Sequence, residues 1–352
     1  MPAVRWIRIL LSGLFLTFLG GCNPFSEARP MMDEYVERVA RVLDSEPELT
    51  AIEPPSQIPR RRNRVLTMPE LDMGMLDFLS LYGCELQFVV GEKNSVMGKV
   101  MQPLNRLRYE LRFIEAAQDC LPETEDEDLV EALQEAIDSK RESLPIAIWN
   151  ATWGVEEVET LFTLAKGYYP VSPEGNPVSD LALDAEELNQ TVAALRSGTL
   201  EVSLEFAGSV QQRWQAEYRA GQLLNSAALL KSRLDDATAL IQRRIGGRPL
   251  CLNGKPNNQS EIVQGMFFSV YIEKIQPYMS GVGRARMALI EPLAALAEEQ
   301  RSVMPPAFEV WYRRHLSQDS ERSLWRELDE AMSRHTKAWQ TLLEQCGLRP
   351  GA

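Results

Sequence analysis

The sequence predicts an all-α protein, a bundle of roughly nine helices that includes one long coiled-coil-like helix. Apolar residues recur at intervals of three and four along most of the chain, which is the period of an amphipathic helix. Alternating apolar and polar runs of strand length are missing. The 352 residues are 45% apolar, which is enough for a sizeable core in one large domain or two ordinary ones.

The N-terminal end has the form of a secretory leader over residues 1–21. Arg5 and Arg8 supply a basic start, and residues 9–21 contain no charge, as in the apolar region of a signal peptide. A membrane-spanning helix needs about 20 apolar residues, and this run is shorter. We therefore predict a cleaved signal peptide rather than a transmembrane helix.

The leader ends in "LGGC", residues 19–22, which resembles the lipobox of bacterial lipoproteins. The resemblance implies that Cys22 becomes the first mature residue, carries acyl groups such as palmitate, and tethers the chain to a membrane. Two or more acyl chains anchor a protein stably. Because Asn23 rather than aspartate follows the cysteine, the resemblance implies the outer membrane, on its periplasmic face. The alternative is an ordinary signal peptide with a chance cysteine.

Four cysteines remain after Cys22, namely Cys84, Cys120, Cys251 and Cys346. An even number of cysteines in an oxidising compartment predicts disulfides. Of the three pairings we favour Cys84 with Cys120 and Cys251 with Cys346, because each pair joins segments within one half of the chain. Zinc is the competing interpretation, but no C-x-x-C motif occurs, so we predict no metal and no cofactor.

A short tether, residues 22–30, leads into an N-terminal helical half, residues 31–170. Its predicted elements are a helix over 31–44, a densely apolar segment over 73–90, a helix from Pro103 to the "CLPE" at 120–123, and an amphipathic helix over 126–145. Asp126 is the expected N-cap of the last helix. The prolines of "EPPSQIP", residues 53–59, prevent the first helix from continuing.

Residues 168–180, which hold three prolines and a glycine, mark the predicted boundary between the halves. The C-terminal half, residues 181–346, begins with a proline-free stretch whose apolar seam runs from Ala216 to Ile241 and predicts the long helix. A break at 246–259 could contain a hairpin around "NGK". Helical periodicity resumes over 261–300 and 307–345. The two halves could also form one continuous domain.

The charge balance excludes nucleic acid as a partner. The chain has 37 basic and 50 acidic residues, and phosphate binding needs basic surface. The one basic cluster, "RRRNR" at 60–64, is expected to be a solvated charge run. The alternative is contact with anionic lipid head groups beside a membrane.

No motif nominates a catalytic residue. The stretch "GEKNSVMGKV", residues 91–100, lacks the glycine spacing and the hydroxyl residue of a phosphate-binding loop. Neither G-x-S-x-G nor H-E-x-x-H occurs. His315 and His335 lie in charged helical surroundings, so we expect surface or interface residues rather than catalytic bases.

Trp149 and Trp153 are four residues apart, with Asn150 beside them, so both tryptophans share one face of a helix. Core packing is the expected role of such a pair. The alternative is a ligand groove lined by the two rings.

Residues 78–121 and the stretch "LPIAIWNATW" at 144–153 resemble an uncharacterised lipoprotein family of gammaproteobacteria, domain of unknown function 3080. The matching positions are Cys84, Asn94, Ser95, Gly98, Lys99, Met101, Pro103, Arg106, Leu107, Tyr109, Glu110 and Cys120. Lys93 departs from the arginine expected there. The resemblance implies no activity.

The resemblance draws attention to a polar set within an otherwise apolar region, formed by Asn94, Lys99, Arg106, Tyr109 and Glu110. Arg106 and Glu110 are four apart on a predicted helix and can pair. The set is expected to be a structural network. The alternative is a pinned polar site for a ligand or partner.

These observations predict a lipid-anchored periplasmic envelope protein that is not an enzyme and that binds an envelope protein partner or supports assembly. A helical binding protein for a small or lipidic ligand is the alternative, and an envelope hydrolase is the third hypothesis. A continuous apolar cavity would favour the ligand, and an exposed apolar patch would favour the partner.

Overall fold

A computed structural model describes residues 27–69, 83–94 and 98–348. Cys22, the leader and most of the tether lie outside the described residues, as do the side chains of Asn94 and Lys99. The described ranges contain eleven helices and no β-strand, which confirms the predicted all-α fold. In the same ranges, no helix is both long enough and apolar enough to cross a membrane.

The helices are numbered α1 to α11 in chain order. They are α1 Ala28–Val42, α2 Glu85–Asn94, α3 Pro103–Cys120, α4 Glu127–Thr152, α5 Glu157–Leu161, α6 Ser179–Arg196, α7 Phe206–Ala216, α8 Arg219–Gly246, α9 258–299, α10 Pro306–His315 and α11 Leu324–Glu344. Short 3-10 turns lie at Arg61–Asn63, Gly98–Val100, Leu121–Glu123, Leu164–Lys166 and Arg301–Val303.

The α3 and α4 helices begin where the sequence predicts. Pro103 occupies the first turn of α3, where its missing N–H costs no helical bond. The Asp126 carboxylate caps α4 by accepting from the N–H groups of Asp128 at 3.0 Å and Leu129 at 3.2 Å. The α4 helix then continues through Pro145 to Thr152, so the predicted end at 145 is wrong.

Helix α9 contains two π-helical stretches, Phe267–Ile275 and Arg286–Ile290. Each lies just before a proline, Pro277 or Pro292. A proline in an α-helix lacks an N–H donor and its ring clashes with the carbonyl four residues earlier. In a π turn the backbone hydrogen bonds join residues five apart instead of four. This change in hydrogen bonding lets one continuous helix contain both prolines.

The long seam of the C-terminal half is α8, except that Ala216, its first predicted member, ends α7. The predicted hairpin around "NGK" is a turn without strands. Asn253 and Gly254 both have positive φ there, 54° and 69°, a conformation typical of tight turns.

Residues 44–69 form an extended segment, here called the strap, that crosses three helices. Thr50 bonds to α8, Ser56 to α10 and Leu66 to α4. The prediction of a solvated charge run at 60–64 is wrong for Arg64, whose side chain is 0% exposed. Its guanidinium is buried because it donates to the carbonyls of Pro59 and Val155 and pairs with Glu159 at 3.0 Å.

One apolar core extends from Ala28 to Cys346. Both predicted cysteine pairs are confirmed. The Cα atoms of Cys84 and Cys120 are 5.8 Å apart, and those of Cys251 and Cys346 are 5.1 Å apart. These separations are within the normal range for disulfides.

Candidate functional site

A cleft lies between the strap and helices α8 and α11, and is called the polar cleft here. Its volume is about 360 Å³. It is lined by Glu48, Thr50, Ala51, Glu53, Ala228, Lys231, Ser232, Asp235, Asp236, Ala239, Leu240, Arg243, Arg314, Leu324 and Glu327. More than half of these side chains are polar or charged, so hydrogen bonds and charge dominate its chemistry.

The strap wall of the polar cleft is fixed by residues of α8. The Thr50 hydroxyl donates to Asp236 at 2.8 Å, and its N–H donates to the same carboxylate at 3.2 Å. Arg233 donates to the Thr50 carbonyl at 2.8 Å and to Asp236 at 2.8 Å. Arg233 and Asp236 are both buried. Buried charge-assisted bonds of this kind are strong, so this wall is rigid.

The rim of the polar cleft carries both signs of charge. Arg314 pairs with Glu327, and Arg243 lies 3.3 Å from Glu48. Glu53 is exposed and makes no ion pair within the described part of the chain. The pair of Arg243 with Glu48 is exposed, and exposed pairs are weak, so these two side chains can exchange partners. The rim can therefore form new ion pairs with another molecule.

A smaller pocket of about 120 Å³ continues from the polar cleft to His315. Sequence reasoning placed His315 on the surface or at an interface, but its side chain is 2% exposed. The Ser56 hydroxyl lies 2.7 Å from His315 Nε2, and the Ser56 N–H lies 3.3 Å from it. Nε2 is thus the acceptor, since a backbone N–H can only donate.

The Ser56–His315 contact has the distance of a nucleophile and its base, but its electrostatics oppose catalysis. Burial, followed by the nearby Arg314 charge, lowers the pKa of His315 to about 4. Nδ1 has no hydrogen-bond partner among the described residues, so no carboxylate would stabilise a proton gained by the ring. The arrangement disfavours a serine hydrolase and favours a neutral anchor for the strap.

His335 lies deeper, in a network on α1, α8 and α11, and is fully buried rather than at the surface. Its Nε2 is 2.6 Å from the Tyr35 hydroxyl and its Nδ1 is 2.9 Å from the Thr238 hydroxyl. Thr238 donates to the Leu234 carbonyl, so Nδ1 carries the proton and Nε2 accepts from Tyr35. Burial lowers the pKa of His335 to about 3.

The predicted polar set is assembled around Glu110 on α3. Glu110 is 0% exposed and pairs with Arg106 and with Lys140 of α4, whose Nζ lies 2.7 Å from Oε2. The Tyr109 ring faces cations of Lys93, Arg106 and Lys140 at 5.9, 5.4 and 5.3 Å. Burial lowers the pKa of Lys140. Sequence reasoning missed Lys140, because its place opposite Glu110 depends on how α3 and α4 pack.

Trp149, Asn150 and Trp153 hold the strap rather than line an open groove. Both indoles are fully buried, and Trp149 Nε1 donates to the Arg64 carbonyl at 2.6 Å. The Asn150 amide bonds the N–H and the carbonyl of Leu66, each at 2.8 Å. Asn150 thereby satisfies the backbone donor and acceptor of Leu66, in an extended segment that has no strand partner.

Residues 32–350 match the model of a family described as a protein of unknown function, DUF3080. The chain belongs to this family. No curated protein and no solved structure matches the chain. The match spans α1 to α11 apart from the first residues of α1, so it covers both the polar cleft and the Glu110 cluster.

The contacts that build the polar cleft and its extension to His315 leave little signal in the sequence. Thr50 and Asp236 are 186 positions apart, and Ser56 and His315 are 259 apart. A spacing rule finds partners within one helix or turn, whereas these contacts depend on where the strap crosses α8 and α10. The pair of prolines before Ser56 is the one local cue, because a residue that precedes a proline favours an extended backbone.

Proposed function

We propose that this chain is a lipid-anchored protein of the periplasmic face of the outer membrane whose helical body binds a protein partner without catalysing a reaction. The cysteine arrangement carries the proposal. Four cysteines pair within the body, which leaves Cys22 as the odd one. Stable disulfides are typical of oxidising compartments, and an odd cysteine in an exported protein indicates modification or pairing with another chain.

The non-enzymatic part of the proposal is supported by the two histidines. Burial keeps both rings neutral, with pKa values of about 4 for His315 and about 3 for His335. A general base works best with a pKa near the operating pH. Neither ring meets this condition, so a hydrolase is the weaker hypothesis.

The chemistry of the polar cleft fits a protein partner better than a small ligand. Small-molecule sites are mostly apolar and enclose most of the ligand. This cleft is open and its rim carries charges of both signs. Complementary charges on a protein surface select a partner and fix its orientation. We therefore assign the partner as a folded protein with both acidic and basic side chains in its contact surface.

The anchor is tested by replacing Cys22 with serine. We expect the Cys22→Ser protein to leave the membrane fraction or to keep its leader, because no thiol remains to accept a lipid. Ser26→Ala, four residues away, is the matched control and should stay with the membrane. Membrane recovery equal to that of the control, with the leader removed, would contradict the anchor.

The partner is tested by placing a photo-crosslinking amino acid at Glu53 or Arg243 in intact cells. We expect both positions to give the same crosslinked product, identified by mass spectrometry. Glu131, which is exposed on α4, is the matched control and should not give it. The double variant Glu53→Arg with Arg243→Glu should reduce the product when the crosslinker is at Ala51, which lines the cleft and is exposed. An equal yield at Glu131 would refute a role for the polar cleft.

A further inference from the structure

A second cavity lies at the proline of α4 and is called the proline pocket here. Its volume is about 300 Å³. It is lined by apolar side chains of α4, α6 and the loop after α6, and by two arginines at its rim. It shares no lining residue with the polar cleft.

The floor of the proline pocket is apolar. Leu144, Ile148 and Leu195 are buried, and Pro145 and Leu200 are half-buried at its sides. These side chains come from α4, from the end of α6 and from the loop after it. The floor can therefore take up an apolar chain, since each methylene removed from water contributes about 0.8 kcal/mol.

The rim of the proline pocket carries two arginines, of which Arg196 already pairs with a carboxylate through Nε and keeps its terminal Nη donors. Arg141 is exposed and makes no ion pair or side-chain hydrogen bond within the described residues. Arg196 is 3.1 Å from Glu299 through Nε, and its side chain is 33% exposed. Guanidinium groups present a planar fork of donors that matches a carboxylate. The two arginines thus offer a head-group site beside an apolar floor.

The backbone at the edge of the proline pocket is hydrogen-bonded within the chain. The last carbonyls of α6 are capped, because Gly198 donates to Leu195 at 3.1 Å and Thr199 donates to Ala194 at 3.0 Å. Gly198 has φ 96°, a left-handed conformation that favours glycine. This turn ends α6 and brings Leu200 back to the wall of the pocket.

We propose that the proline pocket binds a single-chain anionic amphiphile, with its acyl chain on the Leu144, Ile148 and Leu195 floor and its carboxylate between Arg141 and Arg196. The volume is at the lower end for ligand sites, which span about 300 to 1,000 Å³. One short acyl chain fits such a space. This binding does not depend on the lipid anchor or on the polar cleft.

Decanoate is the probe, measured by isothermal titration on the full chain carrying Cys22→Ser, so that no acyl group of its own competes. We expect saturable binding with one site. Decanol, which keeps the chain but not the charge, should bind about tenfold more weakly, because a charge-assisted bond is lost. Acetate, which lacks the chain, should show no saturation.

Variants locate the site. Arg141→Gln and Arg196→Gln should each weaken decanoate about tenfold and leave decanol unchanged. Arg326→Gln is the matched control, because Arg326 is an exposed arginine of α11 that pairs with Glu330 at 3.4 Å. It should change neither affinity. Leu200→Trp should fill the pocket and abolish binding of both probes.

Three outcomes would overturn the proposal. They are no saturable decanoate binding, equal affinity for decanoate and decanol, and equal affinity in the two pocket arginine variants and the Arg326 control. If Leu200→Trp does not fold, the arginine variants decide alone, since both residues are exposed and their replacement leaves the core intact.

Discussion

Two buried polar clusters of the molecule offset their desolvation in opposite ways. The cluster on α3 and α4 is charged, in the pair of Glu110 with Lys140. The cluster on α1, α8 and α11 is neutral, in the chain of hydrogen bonds from Tyr35 through His335 to Thr238. Both sites exclude water, so the difference lies in how the desolvation cost is offset.

The charged cluster and the neutral cluster differ in how they affect the stability of the fold. Two ions buried together recover most of their desolvation cost from each other, so the pair adds little net stability but is costly to break. A neutral network in which each group has a partner avoids that cost. Trp339 completes the neutral network by donating to the Tyr35 hydroxyl at 2.9 Å.

The largest expected effect comes from breaking the charged pair. Glu110→Leu leaves the Lys140 ammonium buried without its carboxylate, and the free energy of unfolding should fall by about 3–5 kcal/mol. The double variant Glu110→Leu with Lys140→Met removes both charges and should recover most of that loss. Urea unfolding measures both. A double variant as unstable as the single one would show that the pair itself stabilises the fold.

The next effect is loss of the neutral network. His335→Leu removes the acceptor of the Tyr35 hydroxyl and the donor to Thr238, and should cost about 2–4 kcal/mol of unfolding free energy. His315→Leu is the matched control. Among the described residues, the His315 ring has one hydrogen-bond partner, Ser56, which is exposed. That variant should cost about 1 kcal/mol. Equal costs in urea unfolding would contradict the distinction between the two histidines.

Acid should destabilise the fold through both histidines. Their pKa values in the folded chain are about 4 for His315 and about 3 for His335, against 6.5 for the unfolded residue. Below pH 6.5 the unfolded chain therefore binds protons that the folded chain does not. Each histidine should reduce the unfolding free energy by about 1.4 kcal/mol per pH unit down to its folded pKa.

The pH prediction is checked by urea unfolding of the wild type and of His315→Gln between pH 6.5 and 4. As the pH falls, the unfolding free energy of His315→Gln should decrease less steeply than that of the wild type, by about 1.4 kcal/mol per pH unit. This difference corresponds to the one proton that His315 binds on unfolding. Carboxylates contribute equally to both chains. Identical slopes would mean that His315 is protonated in the folded protein.

The smallest expected effect comes from removing the aromatic ring of Tyr109. Tyr109→Leu keeps an apolar side chain beside Glu110 but removes the aromatic face near Arg106 and Lys140. Cation–π contacts contribute about 0.5–2 kcal/mol, so we expect a loss of about 1 kcal/mol in urea unfolding. Tyr109→Phe retains the face and should stay within about 0.5 kcal/mol of the wild type.

Sequence reasoning succeeded where the controlling interactions are local. Pro103 and Asp126 set the starts of α3 and α4 through the first turn of each helix. The cysteine pairs were found by joining segments within one half of the chain. Sequence reasoning failed at Pro145, because buried side chains continue along α4 before and after the proline, from Leu144 to Trp149, and their burial outweighs the cost of one proline.

The contacts around the candidate site could not be predicted from the sequence, because they join residues that are far apart in the chain. Arg64 belongs to a charged run by composition, and its burial depends on carbonyls of Trp153 and Val155 that lie about 90 positions away. The contact of Ser56 with His315 likewise joins the strap to α10. Such contacts follow from tertiary packing, which a single sequence specifies only through the whole fold.

The central claim, a disulfide-locked body tethered through Cys22, is tested most directly by mass spectrometry of the protein purified from membranes. After alkylation without reductant, we predict a chain that lacks residues 1–21, carries acyl groups on Cys22, and has no alkylated cysteine. Reduction should then expose four thiols. An unmodified Cys22 at the mature N-terminus, or alkylation of any other cysteine before reduction, would contradict the claim.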